Sequence, residues 1–458
     1  MRKCLLLVPE AVTPFPETQR LLQTACKFFL LSAGYVVQII ISYDDTIVDE
    51  HPARGWHDTQ VRIPDTRMRS MKLLFIAHAM TLACLPIIPP AVWAQGSSVV
   101  PTRLEPAQLR MLLDSVRRKY DLPALGIAVF TKDSLLGLAV VGVRRIGNST
   151  PASARDLFHI GSDTKAMTAG LLGLLVDRGK LRWESRLDEI FPELKPSMRP
   201  EYRDMIVREL LTHRSGIVPN PTVSFIDATP LATPREQRDA FMRWIVRQPL
   251  ASPRGSYAYA NSNYIIAGAI AERLFNGDYE HLLIAELLAP LGITTAGFGD
   301  PGRADAVDQP WGHRIFWLGF RRAVSPGLAA GNSPVYGSAG RLHLSLSDWA
   351  RWGQAVIRAA RGEQSPWSPA TGKSLVTPMA NDTRAFASAF GWGVGRRTWA
   401  GPTGRVLSHK GSNGRWYAVA WLAPDTNFGL LVVTNQGGEK AAQATGAAAA
   451  GIIRMSRP

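Results

Sequence analysis

Four residues in three separated segments, Ser162, Lys165, Tyr259 and His409, have the types and local spacing that suit attack on a carbonyl. Ser162 and Lys165 stand three apart in "FHIGSDTKAMTAGLLGLLVDRG", Phe158 to Gly179. On a helix, positions i and i+3 share a face, so the hydroxyl and the amine can meet. Gly161 permits a tight turn into that helix. The first turn favours negative charge developing on the serine oxygen. Ala166, Met167, Ala169 and Leu171 surround Lys165 in sequence. Burial among them lowers an amine pKa, and a neutral amine can take the proton of a serine. Alone, these four residues read better as a helix cap and a solvated lysine. Their company changes that reading.

Tyr259-Ala260-Asn261 lies in "GSYAYANSNYIIAGAIAERL", on a loop before a helix. His409-Lys410-Gly411 lies in "SHKGSNGRWYAVAWL", on a strand. Tyr257 is a second tyrosine nearby, but only Tyr259 has an asparagine two residues later. His159 and His213 read as structural. The nine histidines show no paired spacing suited to zinc, HExxH is absent, and no metal or cofactor is expected. "ATGKS" around Lys373 lacks the earlier glycine of a phosphate loop, and no GxSxG elbow occurs.

The elements that must position these residues can be read from periodicity. Leu109, Leu112, Leu113 and Val116 recur at helical spacing over 106–119. "ALGIAVFTKDSLLGLAVVGVRR" (124–145) is a hairpin around a polar turn. Residues 162–177, 206–212, 235–247, 263–275 and 278–292 read as helices. "SLSDWARWGQAVIRAA" is another, with Ser347 or Asp348 as its cap. Strands return in "WGVGRRTW", "RVLSHKGSNG", "WYAVAWLAPD" and "FGLLVVTNQ", before an Ala-rich helix over 439–455. Strands at both ends around a helical middle indicate α+β segregation, not regular βαβ alternation.

SxxK, then YxN, then a basic residue with glycine two later, resembles the three-part site of the serine β-lactamase and penicillin-binding group. The tyrosine in the second element is similar to the class C β-lactamase and D-alanyl-D-alanine carboxypeptidase branch. "VRELLTHRSGI", "LAPLGITTAGFG" and "GSAGRLHLSLSDWARW" extend the resemblance over roughly 105–440. It implies one β-lactamase/transpeptidase-like domain: an antiparallel sheet from both chain ends, with a mostly helical insert over about 165–340.

The resemblance also implies roles. Ser162 attacks and forms an acyl-enzyme, and Lys165 takes or relays its proton. Tyr259, as phenolate or hydrogen-bonded phenol, serves the leaving group, with Lys165 and His409 as the cations that a phenolate would need. Asn261 offers its amide to the substrate's acyl side chain and to Lys165. The N–H groups of Ser162 and Ser412 form the oxyanion hole. Gly411 lets substrate lie close to the strand.

Substrate is less legible. β-Lactamases of this class usually carry Lys-Thr-Gly, whose ammonium helps hold a carboxylate. A histidine of ordinary pKa is mostly neutral at pH 7 and holds it less firmly. Lys410 alternates to the other strand face and is a poor substitute. His409 resembles D,D-peptidase, D-aminopeptidase and esterase members. The expected substrates are therefore D-amino-acid peptides, including cell-wall peptide, or small acyl esters. The alternatives are a class C-type β-lactamase and a penicillin-recognising sensor that acylates without turnover.

From Met71 the chain reads "MKLLFIAHAMTLACLPIIPPAVWAQGSS": a positive start, a short apolar core, then Val92 and Ala94 before Gln95. That is a secretory signal peptide, cut after Ala94, with Met68 or Met71 as the functional start. Residues 1–70 would be an upstream extension, 71–94 the leader and 95–458 the catalytic domain. Competing readings are a lipoprotein at Cys84 and an internal anchor at "FFLLSAGYVVQIII" (28–41). Cys4, Cys26 and Cys84 would all be lost with the leader, which excludes thiol chemistry in the exported protein. The formal net charge is +15, with basic residues spread along the chain and no nucleic-acid-binding signature. A periplasmic or secreted protein without nucleic-acid partners or a stable membrane span is expected.

Overall fold

The computed structural model describes residues 104–228, 233–316, 320–327 and 332–456. The expected extension and leader, 1–70 and 71–94, lie outside the described residues. All described residues belong to one compact unit, Val92–Pro458.

A seven-stranded antiparallel sheet is the frame. Its strands are β1 (Ala124–Phe130), β2 (Leu135–Gly142), β3 (Phe386–Ser388), β4 (Gly393–Arg396), β5 (Arg405–Ser412), β6 (Tyr417–Ala423) and β7 (Phe428–Thr434). They run in the order β2-β1-β7-β6-β5-β4-β3. The amino-terminal hairpin thus joins the carboxy-terminal strands, with Ile127 opposite Val432. The polar turn between β1 and β2 closes where Thr131 N donates to Ser134 O at 2.8 Å.

Every residue of β1 and β7 is buried, because helices cover both faces. Side chains alternate between two cores. Leu125, Ile127, Val129, Leu430 and Val432 join one. Ala128, Phe130, Leu431 and Val433 join the other. The first core is closed by α1 (Pro106–Lys119) and α5 (Glu439–Met455). Proline at the first helical position starts α1 without wasting an N–H. Its Leu109 and Leu113 are fully buried, each stabilising by about 1.5–3 kcal/mol. Small residues Ala441, Ala444 and Ala448 let α5 lie close to the sheet.

The second core holds α2 (Thr164–Asp177), α3 (Asn261–Phe275) and α4 (Leu346–Ala360). Residues Thr164 to Leu175 of α2 are all buried. This is a central helix wrapped on every side, which explains its apolar run without an amphipathic stripe. A three-stranded sheet (Leu157–His159, Leu342–Ser345, Gly297–Phe298) delivers the chain to Ser162.

Two local readings are corrected. The cap of α4 is Ser345, whose Oγ accepts from Asp348 N at 3.2 Å, not Ser347 or Asp348. The Asp348 carboxylate is occupied by Thr294 N and Thr295 N, both at 2.8 Å. The segment 278–292 is not one helix. It divides into an α-turn (Tyr279–Leu282), a π-helical stretch (Leu283–Leu288) and a 3₁₀-turn (Ala289–Leu291). Pro290 has no N–H for the carbonyl four residues back, so regular winding stops.

Candidate active site

Ser162 sits in a single 3₁₀-turn, Gly161–Asp163, that runs directly into α2. Gly161 takes φ +54°, a left-handed conformation suited to glycine. Its N–H donates to His159 Nδ1 at 3.0 Å, and its carbonyl accepts from Thr164 Oγ1 at 2.7 Å. The turn lies against β5 at almost no clearance. A Cβ on Gly161 would meet Ser412 N at 2.5 Å, and one on Gly411 would meet Ile160 O at 1.8 Å. Both glycines are therefore conditions for the nucleophile turn to touch the strand. β4 pairs with β5 over Arg405–Ser408. Ser412 turns its Oγ away, donating to Trp416 O at 2.7 Å.

Lys165 is fully buried on the first turn of α2. Its Nζ is 2.7 Å from Asn261 Oδ1, 2.5 Å from Ala339 O and 3.1 Å from Ser162 Oγ. Burial pulls its pKa down to about 7, partly opposed by the carboxyl of Asp163. A neutral amine has two N–H groups and one lone pair. Asn261 and Ala339 present acceptors for the two N–H groups, so the lone pair is left for the Ser162 proton. Asn261 is itself oriented: its Nδ2 donates to Asn220 Oδ1 at 2.8 Å. The placement of its oxygen follows from that network.

Tyr259 enters from the loop before α3. Its ring packs on His213, centroids 4.4 Å apart, and lies 5.0 Å from Lys165 Nζ. Burial of the hydroxyl raises its pKa above the usual tyrosine value, with hydrogen bonding to Ser162 acting the other way. Tyr259 is 40% exposed, so the direction is what matters: it is a phenol at neutral pH. His409 is drawn down to about 3 by burial and then by Lys165. It is neutral and cannot serve as a cation for a phenolate. Of the two forms anticipated for Tyr259, the hydrogen-bonded phenol is the one these surroundings favour.

His409 Nδ1 lies 4.0 Å from Asp163 Oδ1, beyond hydrogen-bond reach. Both Asp163 oxygens and this nitrogen are buried without a hydrogen-bond partner. Burial holds the Asp163 carboxyl well above the usual carboxylate range. Beside Tyr259 and His409 opens a cavity of about 360 Å³, which Lys410 also lines.

The structure thus gathers Ser162, Lys165, Tyr259, Asn261, His409, Gly411 and Ser412 from three separate segments. Sequence reasoning missed Asn220, the Ala339 carbonyl and the part played by His213. His213 adopts φ +58°, and its Nδ1 faces Ala260 N and Asn263 Nδ2, both at 3.2 Å. These contacts and its ring support the loop carrying Tyr259. No local signal marks any of these three.

A Ser-x-x-Lys pair whose lysine is buried, at the head of a central helix pressed against an antiparallel sheet, defines a serine hydrolase of the β-lactamase and penicillin-binding type. Residues 109–452 match the family model described as Beta-lactamase, and the chain belongs to that family. It is 27% identical over 342 residues to penicillin-binding protein 4 of Amycolatopsis lactamdurans, covering 71% of this chain and 84% of that protein. It is 25% identical over 314 residues to an unguisins hydrolase of Aspergillus campestris (strain IBT 28561), covering 64% of this chain and 55% of the relative. The chain therefore spans just over half the length of that hydrolase. The fold matches the octameric penicillin-binding protein homologue from Pyrococcus abyssi, with TM-score 0.61, 22% identity and 77% of each chain covered. No helix of the described residues is long and apolar enough to cross a membrane.

Proposed function

We propose that this protein is an exported serine hydrolase that forms an acyl-enzyme on Ser162 and acts on D-amino-acid peptides or small acyl esters. The observation that carries this is the environment of Lys165. An amine with a pKa near 7, both N–H groups engaged and 3.1 Å from Ser162 Oγ, is a general base ready at neutral pH. Tyr259, as a phenol beside Ser162, would donate its proton to the departing group and recover it from the incoming water. The backbone N–H groups of Ser162 and Ser412 would hold the developing oxyanion. A neutral His409 fits amide or ester substrates better than a site built around an ammonium at that position. Export rests on the leader-like segment 71–94.

The purified protein is tested on nitrocefin, a short aryl ester and a D-Ala-D-Ala peptide, with Ser162→Ala beside it. Hydrolysis of the ester or peptide that disappears in Ser162→Ala supports the reading. Hydrolysis that survives the substitution removes Ser162 as nucleophile. Turnover of nitrocefin at a rate far above the others favours a β-lactamase. A stoichiometric burst without turnover favours a sensor.

A further inference from the structure

We infer that the cavity beside Tyr259 and His409 binds the leaving-group side of the substrate, and that this side carries a carboxylate on a bulky apolar arm, held by Arg384 and Arg397. This rests on the functional reading above and names its substrate class.

Residue 409, a neutral histidine, offers no ammonium to a carboxylate, and Lys165 must lose its charge to act as base. Any positive charge for an anionic substrate has to come from elsewhere. The cavity supplies it: Arg384, Arg397 and Lys410 line it, and no acidic residue does. Arg384 is paired with Asp382, Nε to Oδ1 at 2.8 Å and Nη2 to Oδ2 at 2.5 Å. That carboxylate also meets Arg214 at 3.1 Å. Two guanidinium groups on one carboxylate leave a surplus positive charge, and Arg384 lies 3.2 Å from the ring centre of Tyr257, which also lines the cavity. Arg397 has no acidic partner among the described residues. It is steadied by the rings of Phe386 and Trp421, 4.8 and 5.5 Å away, and by donating to Arg396 O at 2.9 Å. A guanidinium held flat by aromatic rings and lacking a counter-ion is prepared for a carboxylate.

The remaining walls specify the rest of the ligand. Trp392, Phe386 and Trp421 make them aromatic, and about 360 Å³ is in the range of small-ligand sites. An apolar or aromatic side chain next to the carboxylate fits this space better than a methyl group. The side is fixed by which residues line the cavity: Tyr259 and His409 do, Asn261 does not. Tyr259 is the proton donor to the departing group, so the cavity receives that group.

The test compares the acetyl esters of 3-hydroxybenzoate and 3-hydroxybenzamide, which differ in the charge of an aromatic leaving group. The expected kcat/KM favours the carboxylate by about tenfold, the scale of one charge-assisted hydrogen bond. Arg397→Ala should lower the ratio, the double variant Arg384→Ala/Arg397→Ala should bring it to about one, and Arg397→Glu should abolish or invert it. Equal kcat/KM in the unaltered protein, or a preference that persists in Arg397→Glu, overturns the inference. Calorimetric titration of 3-hydroxybenzoate and 3-hydroxybenzamide into the Ser162→Ala protein reads the cavity without turnover. Selective binding of the carboxylate there supports the subsite even if ester hydrolysis proves independent of Ser162, which would defeat the functional reading alone. Absence of selective binding overturns the subsite.

Discussion

Lys165 and Arg397 are the two basic residues to which we assign adjoining parts of one site, and their surroundings differ in kind. Lys165 is fully buried, and burial has brought its pKa to about 7. Arg397 is exposed and leans on aromatic rings. Desolvation penalises the ammonium, while a guanidinium remains protonated in any such setting. On the readings proposed above, one basic side chain serves as a base and the other as an anion receptor. Side-chain type and depth of burial decide which.

The strongest way to break this contrast is to make the buried position unable to lose a proton. Lys165→Arg should lower kcat/KM by about 10²–10⁴, as Lys165→Met should, because neither supplies a neutral base. Recovery of activity in the arginine variant would mean that charge, not basicity, is what position 165 provides. A second break is mechanical. Gly411→Ala drives a Cβ toward Ile160 O, pushing the nucleophile turn off β5. A loss of stability of about 1–3 kcal/mol is expected in chemical denaturation, with a larger proportional loss of activity. An active, equally stable variant would show that the strand and turn need not touch.

The pH profile sharpens the comparison. The base form of Lys165 grows as pH rises through about 7, so kcat/KM should climb through that pH to a plateau. His409 is already neutral above about 3 and should add no inflection near its ordinary value. The Tyr259 hydroxyl, raised above its usual range, should leave the plateau intact to at least about pH 10. Stability has the same sign. The folded state binds fewer protons than the unfolded chain between about 7 and the ordinary lysine value, so this group's contribution improves with rising pH across that window. The smallest expected effect is that of Asp163→Asn. Removing a carboxyl that favours the charged lysine only in so far as it is ionised should leave the acid limb in place or move it slightly to lower pH. A shift to higher pH would contradict the assignment of that limb to Lys165.

The contrast also shows what local sequence can carry. Ser162 and Lys165 were legible together because i, i+3 spacing on a helix is a local geometric fact. The apolar run after them announced a buried helix, and Thr164 to Leu175 are buried. The alternating strands at both chain ends were legible for the same reason, since period two survives wherever one strand feeds a sheet. The end of regular winding near Pro290 could have been read from that proline. The cap at Ser345 could not, because it depends on Asp348 being claimed by Thr294 and Thr295.

By itself, the sequence determined the nucleophile helix, the order of its three chemical motifs and the segregation of strands from helices. These follow from residue type and spacing within a few turns of chain. Only the tertiary structure decided that Lys165 has two acceptors and one free direction, since Asn261 and Ala339 come from 96 and 174 residues away. Only it showed His409 neutral, Tyr259 resting on His213, and three cations around one cavity. Desolvation and hydrogen bonding act through space, and no spacing along the chain records them.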